Sequence, residues 1–270
     1  MTITAVQRSS RSTARTGWVP FALVALVLLP LFFGVLRLVE LAGGPALMPA
    51  NPRLNASPVP VIVHIVSAVG YTVLGAFQFS TGLRRRRPGW HRAAGRVLVV
   101  LGLAVALSAL WLTLFYPRQP GTGTLAFVFR LAFGSSMAAS IILGLTAIRR
   151  RDVPRHRAWM TRAYALALGA ATQVFTLGIG PAVFGPGQLT HDLSLGAAWI
   201  INLTVAEYLI RRSAHRATGR VGPDDPHRTP TRRLPAAGCG PARPALVGMV
   251  WRAHRDLRGR RQHQPHRGRH

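Results

Sequence analysis

The sequence contains no lysine. All 34 of its basic residues are arginine, set against seven acidic ones for a formal charge of +27. With abundant Ala, Gly, Pro and Val, this points to GC-rich codon usage, so an arginine in a loop is not by itself a sign of selected bidentate chemistry. The lone Cys239 excludes an internal disulfide framework and any multi-cysteine zinc or iron–sulfur centre. No glycine-rich nucleotide loop, HExxH helix, CxxC pair or serine nucleophile elbow is present, which removes the familiar soluble catalytic motifs. No acidic residue lies deep in an apolar run, where it could couple protons or sodium.

The chain does carry apolar residues in blocks. They make up 49% of its 270 residues, and the mean hydropathy is +0.24. Such blocks mark membrane spans, which need roughly 20 helical residues to cross about 30 Å of hydrocarbon. Six segments qualify: Val19 to Leu41, Val59 to Leu83, Val97 to Tyr116, Leu125 to Ile148, Ala158 to Gly180 and Leu193 to Ile210. The predicted class is all-α, a polytopic transmembrane bundle of about six spans. Its expected organisation is a basic arm over 1–18, a transmembrane domain over 19–210 and a basic tail over 211–270. Arg8, Arg11 and Arg15 precede the first span as in a secretory signal, but that span is longer than a signal core and has no small-residue cleavage site directly behind it, so it reads as an uncleaved anchor that Pro30 should kink.

Arginines fill every second gap between spans. Arg84 to Arg87 with Arg92 and Arg96 occupy one, and Arg149 to Arg151 with Arg155 and Arg157 another, whereas the alternate loops carry only Arg53 and Arg118. By the positive-inside rule this places both termini in the cytoplasm of a bacterial inner membrane. Much of the net charge is therefore topological, and no nucleic-acid partner is expected; anionic phospholipid is. The two arginine-rich loops also superpose on their histidines, His91 and His156, at a spacing of 65 residues. Spans two and three, and four and five, thus read as two parallel hairpins that form a four-helix centre.

Three runs carry a family resemblance: Gly75-Ala76-Phe77-Gln78-Phe79, His91-Arg92-Ala93-Ala94-Gly95-Arg96 and His156-Arg157-Ala158-Trp159-Met160-Thr161-Arg162-Ala163-Tyr164-Ala165-Leu166. With a histidine early in the preceding span, the chain resembles, over about residues 60 to 180, the bacterial predicted membrane proteins grouped as domain of unknown function 2306. The resemblance implies the membrane fold and supplies no activity. Relatives often carry a further arginine about one helix after the YAL run, where this chain has Gln173-Val174-Phe175.

Candidate chemistry lies on polar helix faces. His64, Ser67, Tyr71, Gly75, Gln78 and Gly82 fall at offsets of 3, 7, 11, 14 and 18 from His64, on one face of the second span. Small and hydroxyl residues in such a stripe serve helix packing as readily as ligand binding. His64 and His191 share the outer leaflet; His91 and His156 share the opposite interface. Imidazoles at both faces, with nearby arginines for propionates, point to b-type haem or to a quinone-linked redox protein, loosely similar to six-helix ascorbate-reducible cytochromes. Unlike in those proteins, His91 and His156 are marginal and the fourth span has no histidine. The competing reading of Arg92, Arg96 and Arg157 beside these histidines is contact with phospholipid headgroups. A small-molecule transporter, with a midplane pocket lined by Tyr71, Gln78, Thr172 and Gln173 near helix-breaking Gly178, Gly180 and Pro181, is a further class, as is a non-catalytic envelope protein. Arg37 and Glu40 should pair at i,i+3 spacing, and Glu207 with Arg211 at i,i+4. The tail holds 15 Arg against three Asp and is predicted to be disordered, apart from a short amphipathic piece at Ala245 to Trp251.

Overall fold

In the computed structural model, the described residues are 18–49, 51, 54 and 57–218. They form eight helices and no strand: α1 (Val19–Leu41), α2 (Val59–Gln78), α3 (Thr81–Arg86), α4 (Pro88–Phe115), α5 (Thr124–Arg149), α6 (Val153–Ala167), α7 (Gly169–Phe184) and α8 (Gln188–Thr218). The readings of the N-terminal arm before Trp18 and of the tail beyond Thr218, Cys239 included, lie outside the described residues.

Proline opens the first turn of α1, α2, α4 and α6, where its missing N–H costs nothing. Ser80 caps α3 through the Leu83 amide at 3.3 Å, and Asp152 caps α6 through the Arg155 amide at 3.0 Å. Five helices are long and apolar enough to cross a membrane, and α6 with α7 makes a sixth span bent by 45°. The polytopic bundle is therefore as the apolar blocks indicate. Its outer surface is greasy: Phe21, Phe32, Val100, Leu107, Phe175 and Ile200 are all exposed on the isolated chain, as a lipid-facing surface requires.

Packing closes α2, α4, α5 and α6 into a ring, with α2 on α4, α4 on α5, α5 on α6 and α6 back on α2. These are the two hairpins of the predicted centre. α1 leans on α2 and α7, and α8 on α5, α6 and α7. Within the ring, glycine admits rings and branched chains: a Cβ on Gly102 would sit 2.6 Å from the Tyr71 ring and 2.7 Å from Ile141, and one on Gly75 would sit 2.6 Å from the Tyr164 ring.

Several boundaries differ from the sequence reading. The second span ends at Gln78 rather than Leu83, because the Ser80 cap starts a separate arginine-bearing helix. The third helix begins at Pro88, nine residues before Val97, so Arg92 and Arg96 lie on its first turns. The sixth span, read as the shortest, is the longest helix at 31 residues. Most instructive is the fifth. It breaks at Leu168, between α6 and α7, while α7 runs through Gly178, Gly180 and Pro181 to Phe184. The break stands where Gly169 makes room for the Trp199 indole, whose Nε1 donates to the Leu166 carbonyl at 3.2 Å. A carbonyl freed in hydrocarbon is thereby satisfied by a neighbouring helix. α1, in contrast, continues as one helix through Pro30.

Candidate functional site

The three motif runs meet at the arginine-rich end of the ring. α6 carries the longest of them, and nearly every side chain in it is engaged. His156 Nδ1 donates to the Gly144 carbonyl of α5 at 2.8 Å, and a Cβ on Gly144 would collide with Met160. Arg162 forms a two-pronged contact with Glu207 of α8, at 2.5 and 3.1 Å, and its guanidinium lies 4.6 Å from the Trp159 ring. Tyr164 reaches across to α2: its hydroxyl donates to the Thr72 carbonyl at 2.7 Å, and its ring lies 5.0 Å from Phe79 and 6.0 Å from Tyr71. The motif is thus a set of ties from α6 to its three neighbours. Glu207 takes Arg162 as its partner rather than Arg211 one turn along, because a bidentate fork across two helices makes two charge-assisted bonds. The Arg37–Glu40 pair forms as expected, at 2.7 Å.

Two motif side chains stand apart. Gln78 Nε2 and His91 Nδ1 are buried and have no hydrogen-bond partner. Their helices run antiparallel, with His64 beside Val105 and Ser108, Tyr71 over Gly102, and Gly75 beside Leu98. Continued to the end of α2, that register brings Gln78 level with Gly95, one helical turn or about 6 Å along the axis from His91. His91 also lies within electrostatic range of Arg84 and His156, and Arg84 within range of Arg157 and Arg85. Partial burial first, and then the charges of Arg157 and Arg85, lower the pKa of the Arg84 guanidinium. None of Arg84, Arg92, Arg96 and Arg157 enters an ion pair among the described residues, and Arg92, Arg96 and Arg157 are exposed. A buried polar atom without a partner costs about 1–3 kcal/mol, so an orphaned pair beside uncompensated guanidiniums suits a ligand that accepts hydrogen bonds.

The remaining candidates lie elsewhere. His64 is half-buried on α2, with Nδ1 placed 3.2 Å from the Val105 carbonyl and 3.1 Å from Ser108 Oγ. His191 lies in the first turn of α8, its Nδ1 3.4 Å from Asp192 Oδ1; no hydrogen bond joins it to His64 among the described residues. Gln173 Nε2 reaches the Leu195 carbonyl at 3.4 Å, and Thr172 donates to Asn202 at 2.8 Å, so both bind α7 to α8. Among the described residues, no three His, Cys, Asp or Glu side chains converge as a metal site.

Asp192 is the residue the sequence did not single out. It is 2% exposed, and its carboxylate accepts the Gly123 amide at 3.0 and 3.1 Å and the Ala126 amide at 3.0 Å. α5 opens on a glycine with no side chain to cap it, and α8 supplies the cap instead. A Cβ on Gly123 would approach Asp192 Oδ2 to 2.6 Å. The only signal in the sequence is an isolated acid at the mouth of a span.

The profile of the predicted membrane protein family DUF2306 matches residues 61–210, from α2 to within the last third of α8 and across all three motif runs. The chain belongs to the DUF2306 family. Of curated proteins, a 4-diphosphocytidyl-2-C-methyl-D-erythritol kinase of Thiobacillus denitrificans is 38% identical over 74 residues, or 27% of this chain. The chain spans about a quarter (26%) of the length of that relative. No solved structure matches. Within the DUF2306 match, the ties made by His156, Arg162 and Tyr164 account for the α6 run, whereas Gln78 Nε2 of the α2 run, His91 Nδ1 of the α4 run and, outside the runs, Asn202 Nδ2 of α8 are buried without a hydrogen-bond partner.

Proposed function

We propose that this DUF2306 protein sits in the bacterial inner membrane with both termini in the cytoplasm, and binds the head of a quinone-type carrier at its cytoplasmic face. The orphaned Gln78 Nε2 and His91 Nδ1 carry the reading. An amide and an imidazole N–H are the donors that quinone carbonyls accept, and the half-buried Phe79 ring stands next to Gln78 in the chain, packed on Tyr164. The exposed guanidiniums of Arg92, Arg96 and Arg157 hold anionic phospholipid around it, each worth about 1 kcal/mol near a charged bilayer surface.

Titrating the full-length protein in nanodiscs with a short-chain quinone should quench tryptophan fluorescence saturably. Gln78→Leu and His91→Leu should each weaken binding by about tenfold, the effect of losing one hydrogen bond of roughly 1.4 kcal/mol. Non-saturable partitioning by the wild-type protein, or unchanged affinity in both variants, would refute the proposal. The orientation has its own check. Alkaline phosphatase fused after Trp90 or Val153 should be inactive and after Thr122 active; the reverse pattern would invert the topology.

A b-type haem is the second reading, and it rests on His64 and His156. Each holds Nδ1 against a backbone carbonyl, which fixes the tautomer and leaves Nε2 as the available ligand atom. His91 lacks such an acceptor and fits that role less well. Haem would supply one-electron transfer when bound. Protein purified from haem-replete cells would then show a Soret band that shifts on dithionite reduction and fades in His156→Ala; a colourless preparation would end the reading.

A further inference from the structure

The two arginine-rich loops abut. One runs through α3 into α4 and the other joins α5 to α6, and the reach of Tyr164 to Thr72 and Phe79 draws their hairpins together. Arg84, half-buried where the other arginines of these loops are exposed, lies within electrostatic range of Arg157 across the gap, and His91 within range of both Arg84 and His156. Like charges brought this close repel one another. Asp152 is the only acidic residue in either loop, and its carboxylate accepts the Arg155 amide at the start of α6. No ion pair among the described residues includes an arginine of either loop, and the sequence beyond Thr218 is itself net basic. The balancing charge comes from outside the chain.

The turn between α5 and α6 keeps an arginine at a conformational cost. The Asp152 amide bonds to the Ala147 carbonyl at 2.9 Å and the Arg151 amide to the Ile148 carbonyl at 3.0 Å, which wraps the end of α5 in a Schellman-type turn. Its pivot is Arg151, with φ of 61°, in the left-handed region where glycine is the usual residue. Glycine would relieve the strain and remove a cation. A strained arginine among arginines without acidic partners points to a use for the charge.

The occupant is a membrane lipid rather than a soluble phosphate. On α4, Arg92 and Arg96 head a face that continues, at offsets of 8 and 15 from Arg92, to Val100 and Leu107, which are 68% and 58% exposed. Charge at the membrane surface thus stands over a greasy lane for acyl chains. The loops also come as a pair. Each places a His-Arg at the same offset, 65 residues apart, and Arg84 of one lies in range of Arg157 of the other, so two phosphates held there lie side by side. Two separate lipids would repel, whereas two phosphates joined by a short linker arrive together at high effective concentration. We propose that the twin loops form one site for a double-headed anionic lipid, two phosphodiesters joined by glycerol, with one phosphate on the arginines of each loop. The inference rests on the phospholipid part of the reading above and is independent of the quinone.

The test compares two lipids at equal phosphate. Full-length protein in dodecyl maltoside micelles is titrated with diphosphatidylglycerol, or with twice the molar amount of phosphatidylglycerol, and bound lipid is counted by native mass spectrometry. One diphosphatidylglycerol should be retained per protein, about tenfold more tightly per phosphate than phosphatidylglycerol. Arg84→Gln and Arg157→Gln, one in each loop, should each erase that preference, whereas Arg212→Gln of α8, outside both loops, should keep it. Equal retention of the two lipids by the wild-type protein would overturn the double-headed site and leave a diffuse attraction for phospholipid; retention of neither would overturn both. A preference intact in both loop variants, or stronger retention of an isoprenyl diphosphate, would also refute it.

Discussion

Replacing Tyr164 by alanine is expected to lower the unfolding free energy of the protein in mixed micelles by about 4 kcal/mol, while Tyr164→Phe costs about 1 kcal/mol. The residue is 5% exposed and joins α6 to α2. Its ring fills the space that Gly75 leaves free and lies against Phe79 and Tyr71; its hydroxyl donates to the Thr72 carbonyl of α2. Truncation opens a cavity at the joint that closes α6 onto α2, and neither neighbouring helix can move in without separating other contacts. Phenylalanine retains the packing and loses only the hydrogen bond. Unfolding by increasing SDS fraction, followed by circular dichroism, would show the two variants well separated. Equal losses would mean that the hydrogen bond, and not the ring, holds the ring of helices closed.

The second large effect concerns Arg162 and Glu207. Single alanine substitutions should each cost about 2 kcal/mol, below the figure for fully buried pairs because these side chains remain 25% and 35% exposed. Arg162→Ala should exceed Glu207→Ala by roughly 0.5–1 kcal/mol, since it also removes the guanidinium from the Trp159 face. The double variant should lose much less than the sum of the singles, because each single strands a charge and the double strands none. Strict additivity in the same SDS titration would show that the pair contributes nothing in place.

Much of this architecture can be read in the sequence because hydrocarbon imposes a simple length rule. Six apolar blocks and two arginine-rich gaps yield the spans and the parallel hairpins, three motif runs carry the resemblance to the family, and the motif histidines lead to the arginine-rich end. Contacts between residues distant in the chain are another matter. The break at Leu168 goes with Trp199, which takes up the carbonyl of Leu166, 33 residues earlier, whereas the local glycines and Pro181 suggest a break further on. Glu207 has an arginine one turn along and yet pairs 45 residues away with Arg162. Periodicity can place His64, Tyr71 and Gln78 on one face. It cannot say that Gln78 and His91 would lack partners while His156 and Tyr164 found theirs.

The carboxylate that closes the start of α5 arrives late. Asp192 lies 69 residues beyond Gly123, on the last helix of the described residues, so during synthesis α5 enters the bilayer with its first amides open. Those amides are covered only when α8 has followed. A nascent chain halted before α8 therefore displays a recognisable defect at one membrane face, and delivery of a single aspartate removes it.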